Sequence, residues 1–94
     1  MKSEKDVKKE IKKILHARGA YEFSAMMNGF GRAGVPDIIA CYKGTFVAVE
    51  AKFGKNKTTM AQDEELRLIN ASGGIALIIN ENNLQDLTNV LDQL

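Results

Sequence analysis

The stretch from Asp37 to Lys52, DIIACY-KG-TFVAVEAK, constrains the fold more than any other part of the chain. Two runs rich in Ile, Val, Tyr and Phe flank Lys43-Gly44 at the spacing of a two-residue hairpin loop. Pairing Tyr42 with Thr45 sets the register of everything beyond the turn, and it brings Asp37 opposite Glu50. Facing residues of a hairpin carry Cβ atoms about 4.5–5.5 Å apart on one face. Lys52, two residues further on, shares that face. Val47, Val49 and Ala51 form an apolar opposite face and are expected in a core. Two carboxylates this close repel one another unless a cation lies between them.

The remaining elements follow from periodicity. Ser3 and Asp6 have the spacing of a capping box, and Val7, Ile11, Ile14 and Leu15 then recur on one helical face. Gly19 is a natural stop, so a first helix is expected over residues 4–18. Tyr21 to Met27 reads as a first strand. Asn28 to Gly34 holds three glycines in seven residues and reads as a special-dihedral loop. Thr59 and Gln62 form a second capping box, opening a helix to about Ala71 with Leu66 and Ile69 inward. Gly73-Gly74 ends it. Ile75 to Ile79 is a continuous apolar strand of the kind expected deep in a sheet. A last helix begins near Asn80 to Asn83 and carries Leu84, Leu87, Leu91 and Leu94 on one stripe. The order αβββαβα describes one layered α/β domain over residues 1–94.

Composition narrows the function classes. No apolar run reaches membrane-spanning length, and the N-terminus is too charged for a signal peptide. The single cysteine, Cys41, excludes an internal disulfide, and its apolar neighbours suggest a small buried side chain in a reducing compartment. A soluble cytoplasmic protein is expected. The net charge of +1 conceals an asymmetry: residues 1–57 hold 12 basic and 6 acidic side chains, residues 58–94 one basic and 6 acidic. Such a basic half suits a phosphate-bearing partner, although a solvated charged helix accounts for much of it.

Asp37, Glu50 and Lys52 carry the chemistry. Hard carboxylate oxygens suit Mg²⁺ or Mn²⁺ with several waters retained. An ion of this kind lowers the pKa of an attached water and stabilises charge on a pentacovalent phosphate. Lys52 could orient the attacking water or offset developing negative charge. No Cys/His cluster supports zinc.

Gly34-Val-Pro-Asp37, then Val49-Glu-Ala-Lys52, then Gln62 at a helix start resembles the PD-(D/E)xK nuclease superfamily, and more closely the VRR-NUC domain. The resemblance covers nearly the whole chain. It implies a restriction-endonuclease-like αβββαβ core with a mixed central sheet flanked by helices, here with an added C-terminal helix. It also implies metal-dependent hydrolysis of DNA phosphodiesters. Asp37, Glu50 and the backbone carbonyl of Ala51 would be metal ligands, with Lys52 assisting the nucleophile. Family members usually carry another acid on the first helix; Glu10 or Glu4 would fill that role, Glu10 being nearer the middle of the helix. With no further domain attached, the chain resembles virus-type Holliday-junction resolvases. A homodimer acting on branched or four-way-junction DNA is then expected, in the host cytoplasm if the protein is viral. A general or sequence-specific nuclease of the same fold, and a DNA-binding subunit without turnover, are the alternatives.

Several residues keep two readings. Gln62 serves either as a cap or as a support near Lys52, and Glu10 either as a ligand or as an i, i+3 partner of Lys13. Arg32 and the backbone amides of Gly31 to Gly34 could touch a phosphate, or the loop is a plain connection. Lys55 and Lys57 after the site, with Lys8, Lys9, Lys12 and Lys13 on the outer first helix, could form a rim for the DNA backbone. His16 is expected to be structural or solvent-facing. The leucine stripe of the last helix is core, or in part a dimer contact.

Overall fold

The hairpin forms in the register that its turn dictates. In the computed structural model, which describes residues 1–25 and 32–94, β2 (Ile38–Tyr42) pairs antiparallel with β3 (Thr45–Ala51), Tyr42 against Thr45 and Ile38 against Val49. Lys43 and Gly44 have φ of 50° and 80°, the paired positive values of a type I′ turn. The end of the expected first strand (Met26, Met27) and the loop from Asn28 to Gly31 lie outside the described residues.

Around this hairpin stand α1 (Glu4–Ala17), β1 (Tyr21–Ser24), α2 (Met60–Ala71), β4 (Ile75–Ile79) and α3 (Leu84–Asp92). The sheet order is β1-β2-β3-β4, with β1 antiparallel to β2 and β4 parallel to β3. This is the mixed α/β arrangement read from the sequence. One face of the sheet (Ile38, Ala40, Val47, Val49, Ala51, Ile79) packs against Val7, Ile11 and Leu15 of α1 and Leu87 and Leu91 of α3. Each Val, Leu or Ile side chain among them contributes about 1.5–3 kcal/mol on leaving water, so this layer is the main source of stability. α2 covers the other face, packing mostly over β4. Among the described residues no helix is long and apolar enough to cross a membrane.

Three details differ from the reading of the sequence. β4 is an edge strand and not a central one; its apolar run is explained by helices on both its faces. Cys41 is exposed and not buried. Alternation turns Ile38 and Ala40 inward and Cys41 outward, onto the part of the face that α2 leaves open. The α3 stripe goes into the core: Leu87 and Leu91 are buried, and Leu84 and Leu94 pack against them. Open apolar surface lies elsewhere, and on the sheet it includes Tyr21 (72% exposed), Phe23 and Phe46. Tyr21, Cys41 and Phe46 stand side by side across three strands.

Candidate active site

Asp37 immediately precedes β2 and Glu50 is the penultimate residue of β3, so the register of the hairpin carries the two acids to the same end of the sheet. Asp37 Oδ2 accepts the Ala51 amide at 2.9 Å, which fixes the carboxylate across the strand ends. Glu50 is 2% exposed. Its Oε2 accepts from Gln62 Nε2 at 3.1 Å and lies 3.6 Å from Lys52 Nζ. Its Oε1 is buried with no hydrogen-bond partner among the described residues. Burial first, and the neighbouring Asp37 second, push the Glu50 carboxyl up from 4.5 to about 7, with Lys52 pulling the other way. A buried carboxylate oxygen without a partner is costly and calls for a cation or a proton.

Gln62 makes the capping contacts, and its side chain also reaches the carboxylate cluster, at Glu50 and not at Lys52. Its Oε1 accepts the Thr59 amide at 2.9 Å and its own amide donates to Thr59 Oγ at 3.1 Å, completing the capping box of α2. The same side chain's Nε2 reaches Glu50. The glycine of the Gly34-Val-Pro-Asp37 motif has an equally physical reason. Gly34 has φ +84°, and a Cβ there would stand 2.5 Å from the Ala61 carbonyl and 2.7 Å from the Gln62 amide nitrogen. Only glycine lets the loop that delivers Asp37 rest on the helix start that delivers Gln62.

The first helix contributes differently from expectation. Lys8 Nζ lies 3.5 Å from Asp37 Oδ1, and Glu4 Oε2 is 4.0 Å from the same ammonium. Glu10 is not brought to this cluster. It lies about 200° around the helix from Lys8, beside Lys9, Lys13, His16 and Glu22. Of the two acids weighed for α1, Glu4 is therefore the one near the centre. No third acid, His or Cys joins Asp37 and Glu50 as a metal-binding cluster among the described residues. A two-carboxylate set still fits Mg²⁺ or Mn²⁺, which keep several waters.

The outer residues divide. Arg32 Nε donates to both oxygens of Glu65, at 3.0 and 2.9 Å, while its side chain is 76% exposed. Lys55 and Lys57 stand exposed in the loop between β3 and α2, which Glu81 anchors by accepting from the Gly54 amide. His16 is exposed. The sequence reading missed Glu65, a buried acid on α2, and the ion pair of Lys8. Glu65 was legible as an acid on the inner stripe Gln62, Glu65, Leu66, Ile69. For Lys8 no such signal existed.

These features agree with what is known of other proteins. The sequence model of the family described as "Archaeal holliday junction resolvase (hjc)" matches residues 2–86. Among curated protein sequences none is a significant match. Two solved structures named "VRR_NUC domain" and "VRR_NUC domain protein" superpose with TM-scores of 0.69 and 0.71 at 21% and 19% identity, each over 97% of this chain and over 91% and 86% of theirs. The Holliday junction resolvase Hjc of Archaeoglobus fulgidus superposes with a TM-score of 0.60 at 19% identity, over 82% of this chain and 69% of its own. The fold is thus that of the VRR-NUC and Hjc nucleases, and the chain belongs to the archaeal Holliday junction resolvase family of structure-selective DNA nucleases.

Proposed function

We propose that the chain is a Mg²⁺- or Mn²⁺-dependent endonuclease that cuts four-way DNA junctions at the centre formed by Asp37, Glu50 and Lys52. The observation that supports this most is the buried Oε1 of Glu50 beside Asp37, which has no hydrogen-bond partner among the described residues. Asp37 Oδ1 and Glu50 Oε1 would be the ligand oxygens, with the Ala51 carbonyl the third ligand implied by family resemblance. A bound divalent ion supplies Lewis-acid stabilisation of the phosphorus-centred charge and a more acidic water.

The chain's own groups do the rest. Lys52 Nζ, held beside Glu50, orients the attacking water and offsets charge as water adds to phosphorus and the P–O bond of the scissile strand breaks. Gln62 holds Glu50 in one rotamer. Arg32, Lys55 and Lys57 contact backbone phosphates flanking the cut, positioning DNA without reading its sequence. Glu4, and not Glu10, is the acid of α1 that stands near this centre in the ion-free chain.

Paired nicks in a symmetric junction need two such centres related by a two-fold axis. The exposed strip of Tyr21, Phe23, Cys41 and Phe46 is the surface on which two copies meet. Light scattering is expected to give twice the chain mass, and Tyr21→Glu with Phe46→Asp to give a monomer. Cleavage assays on a four-way junction and a linear duplex test the substrate. Preference for the junction with Mg²⁺ or Mn²⁺, abolished by EDTA, is the expected result. Equal cutting of linear duplex would overturn the junction assignment.

A further inference from the structure

Asp37 and Glu50 have four carboxylate oxygens, and the structure accounts for each. Asp37 Oδ2 is taken by the Ala51 amide, and Glu50 Oε2 by Gln62 and Lys52. Glu50 Oε1 has no partner among the described residues, and Asp37 Oδ1 faces Lys8 Nζ at 3.5 Å. An ammonium group therefore stands against one of the two oxygens that an incoming divalent ion must use. We propose that Lys8 is an exchangeable cation of this centre: it neutralises Asp37 in the ion-free chain, and moves to a backbone phosphate of bound DNA when a divalent ion takes Asp37 Oδ1. The inference rests on the metal-dependent reading above.

Three observations support the exchange. The Lys8 side chain is 38% exposed on a flexible four-carbon stem, and exposed pairs of this kind are weak enough to give way to a divalent charge. Its destination is built into α1. Measured from Lys8, the side chains of Lys12, Lys5, His16, Lys9 and Lys13 follow within an arc of about 140°, while Glu4, Asp6 and Glu10 all lie outside it. Lys12 is tied to β1 through Ser24 at 3.2 Å and Glu22 at 3.9 Å. Lys8 thus stands at the border between the two carboxylates and a basic band able to follow a phosphate backbone. Ion and DNA each draw Lys8 off Asp37, so each tightens binding of the other. Lys8 is a positioning residue in this account.

Mn²⁺ affinity, read by water-proton relaxation at fixed ionic strength, tests this without relying on activity. Lys8→Met is expected to bind Mn²⁺ about 2- to 5-fold more tightly than Lys9→Met, which removes the same charge from the same helix one residue away. Lys8→Arg is expected to restore the parent affinity. In a Lys52→Ala background that leaves the junction uncut, four-way-junction DNA is expected to tighten Mn²⁺ binding, and adding Lys8→Met to remove most of that tightening. Equal affinities for Lys8→Met and Lys9→Met, or weaker binding by Lys8→Met, would overturn the role of Lys8 and leave the metal centre standing. Absence of Mn²⁺ binding by the parent chain would overturn both.

Discussion

Gln62 donates its side-chain amide to Glu50 Oε2 at 3.1 Å while its carbonyl oxygen accepts the amide of Thr59 at 2.9 Å, so one side chain both starts a helix and holds a carboxylate. The two tasks can be separated. Gln62→Glu keeps a residue well suited to the capping box but places a further carboxylate against Glu50. It is expected to lower junction cleavage by about 10- to 100-fold, the range for losing a group that orients a ligand. Gln62→Ala loses the cap as well, at about 0.5–2 kcal/mol of stability. Thermal melts and single-turnover rates distinguish the two; a parent rate for Gln62→Glu would show that Glu50 does not need the clamp.

Gly34→Ala is expected to do more damage than its single methyl group suggests. The added Cβ would meet backbone atoms of Ala61 and Gln62 at 2.5–2.7 Å, which no side-chain rotation can relieve. A cost of about 2–4 kcal/mol is expected from strain together with displacement of the loop. Because Asp37 is three residues on, activity falls too. Gly19→Ala, at φ +80° in open space, is the control and is expected to cost only about 1–2 kcal/mol. Urea midpoints of the two variants check this; equal losses would remove the close approach as the reason for the motif glycine.

The raised pKa of Glu50 makes the stability of the ion-free chain depend on pH in an unusual direction for a carboxylate. Folding favours the protonated form, so this contribution is fully present below about 4.5 and is lost as pH rises through about 7. Its size is on the order of 3 kcal/mol at 1.36 kcal/mol per unit. In EDTA the melting temperature is expected to fall between pH 5 and pH 8, by roughly 10–20 °C. Glu50→Gln is expected to flatten that fall. Added Mn²⁺ is expected to stabilise the parent increasingly over the same range, because the ion needs the ionised carboxylate. Identical pH profiles for parent and Glu50→Gln would contradict the assignment.

Much of this site was legible in the sequence because its geometry is local. Lys43-Gly44 fixes the hairpin, the hairpin sets Asp37 against Glu50, and the pleat adds Lys52; none of these steps needs a distant element. The capping box likewise announced Gln62 at a helix start. What escaped depended on how separate elements dock. The apolar stripe of α1 tells which side of the helix is buried, but not where along the sheet it lands, and that placement decides that Lys8 and Glu4, and not Glu10, stand by Asp37. Cys41 was misjudged for a related reason. Strand alternation assigns it to a face, but only the position of α2 over β4 determines that this part of the face stays open.

The account turns on Asp37, Glu50 and Lys52 acting together. The most direct test is the single-turnover rate at which a four-way junction is cut with Mn²⁺ by the parent chain, by Asp37→Asn and by Lys52→Ala, each confirmed as folded by its melting curve. The account predicts a loss of at least about 100-fold for either substitution. Cutting at the parent rate by either variant would contradict it.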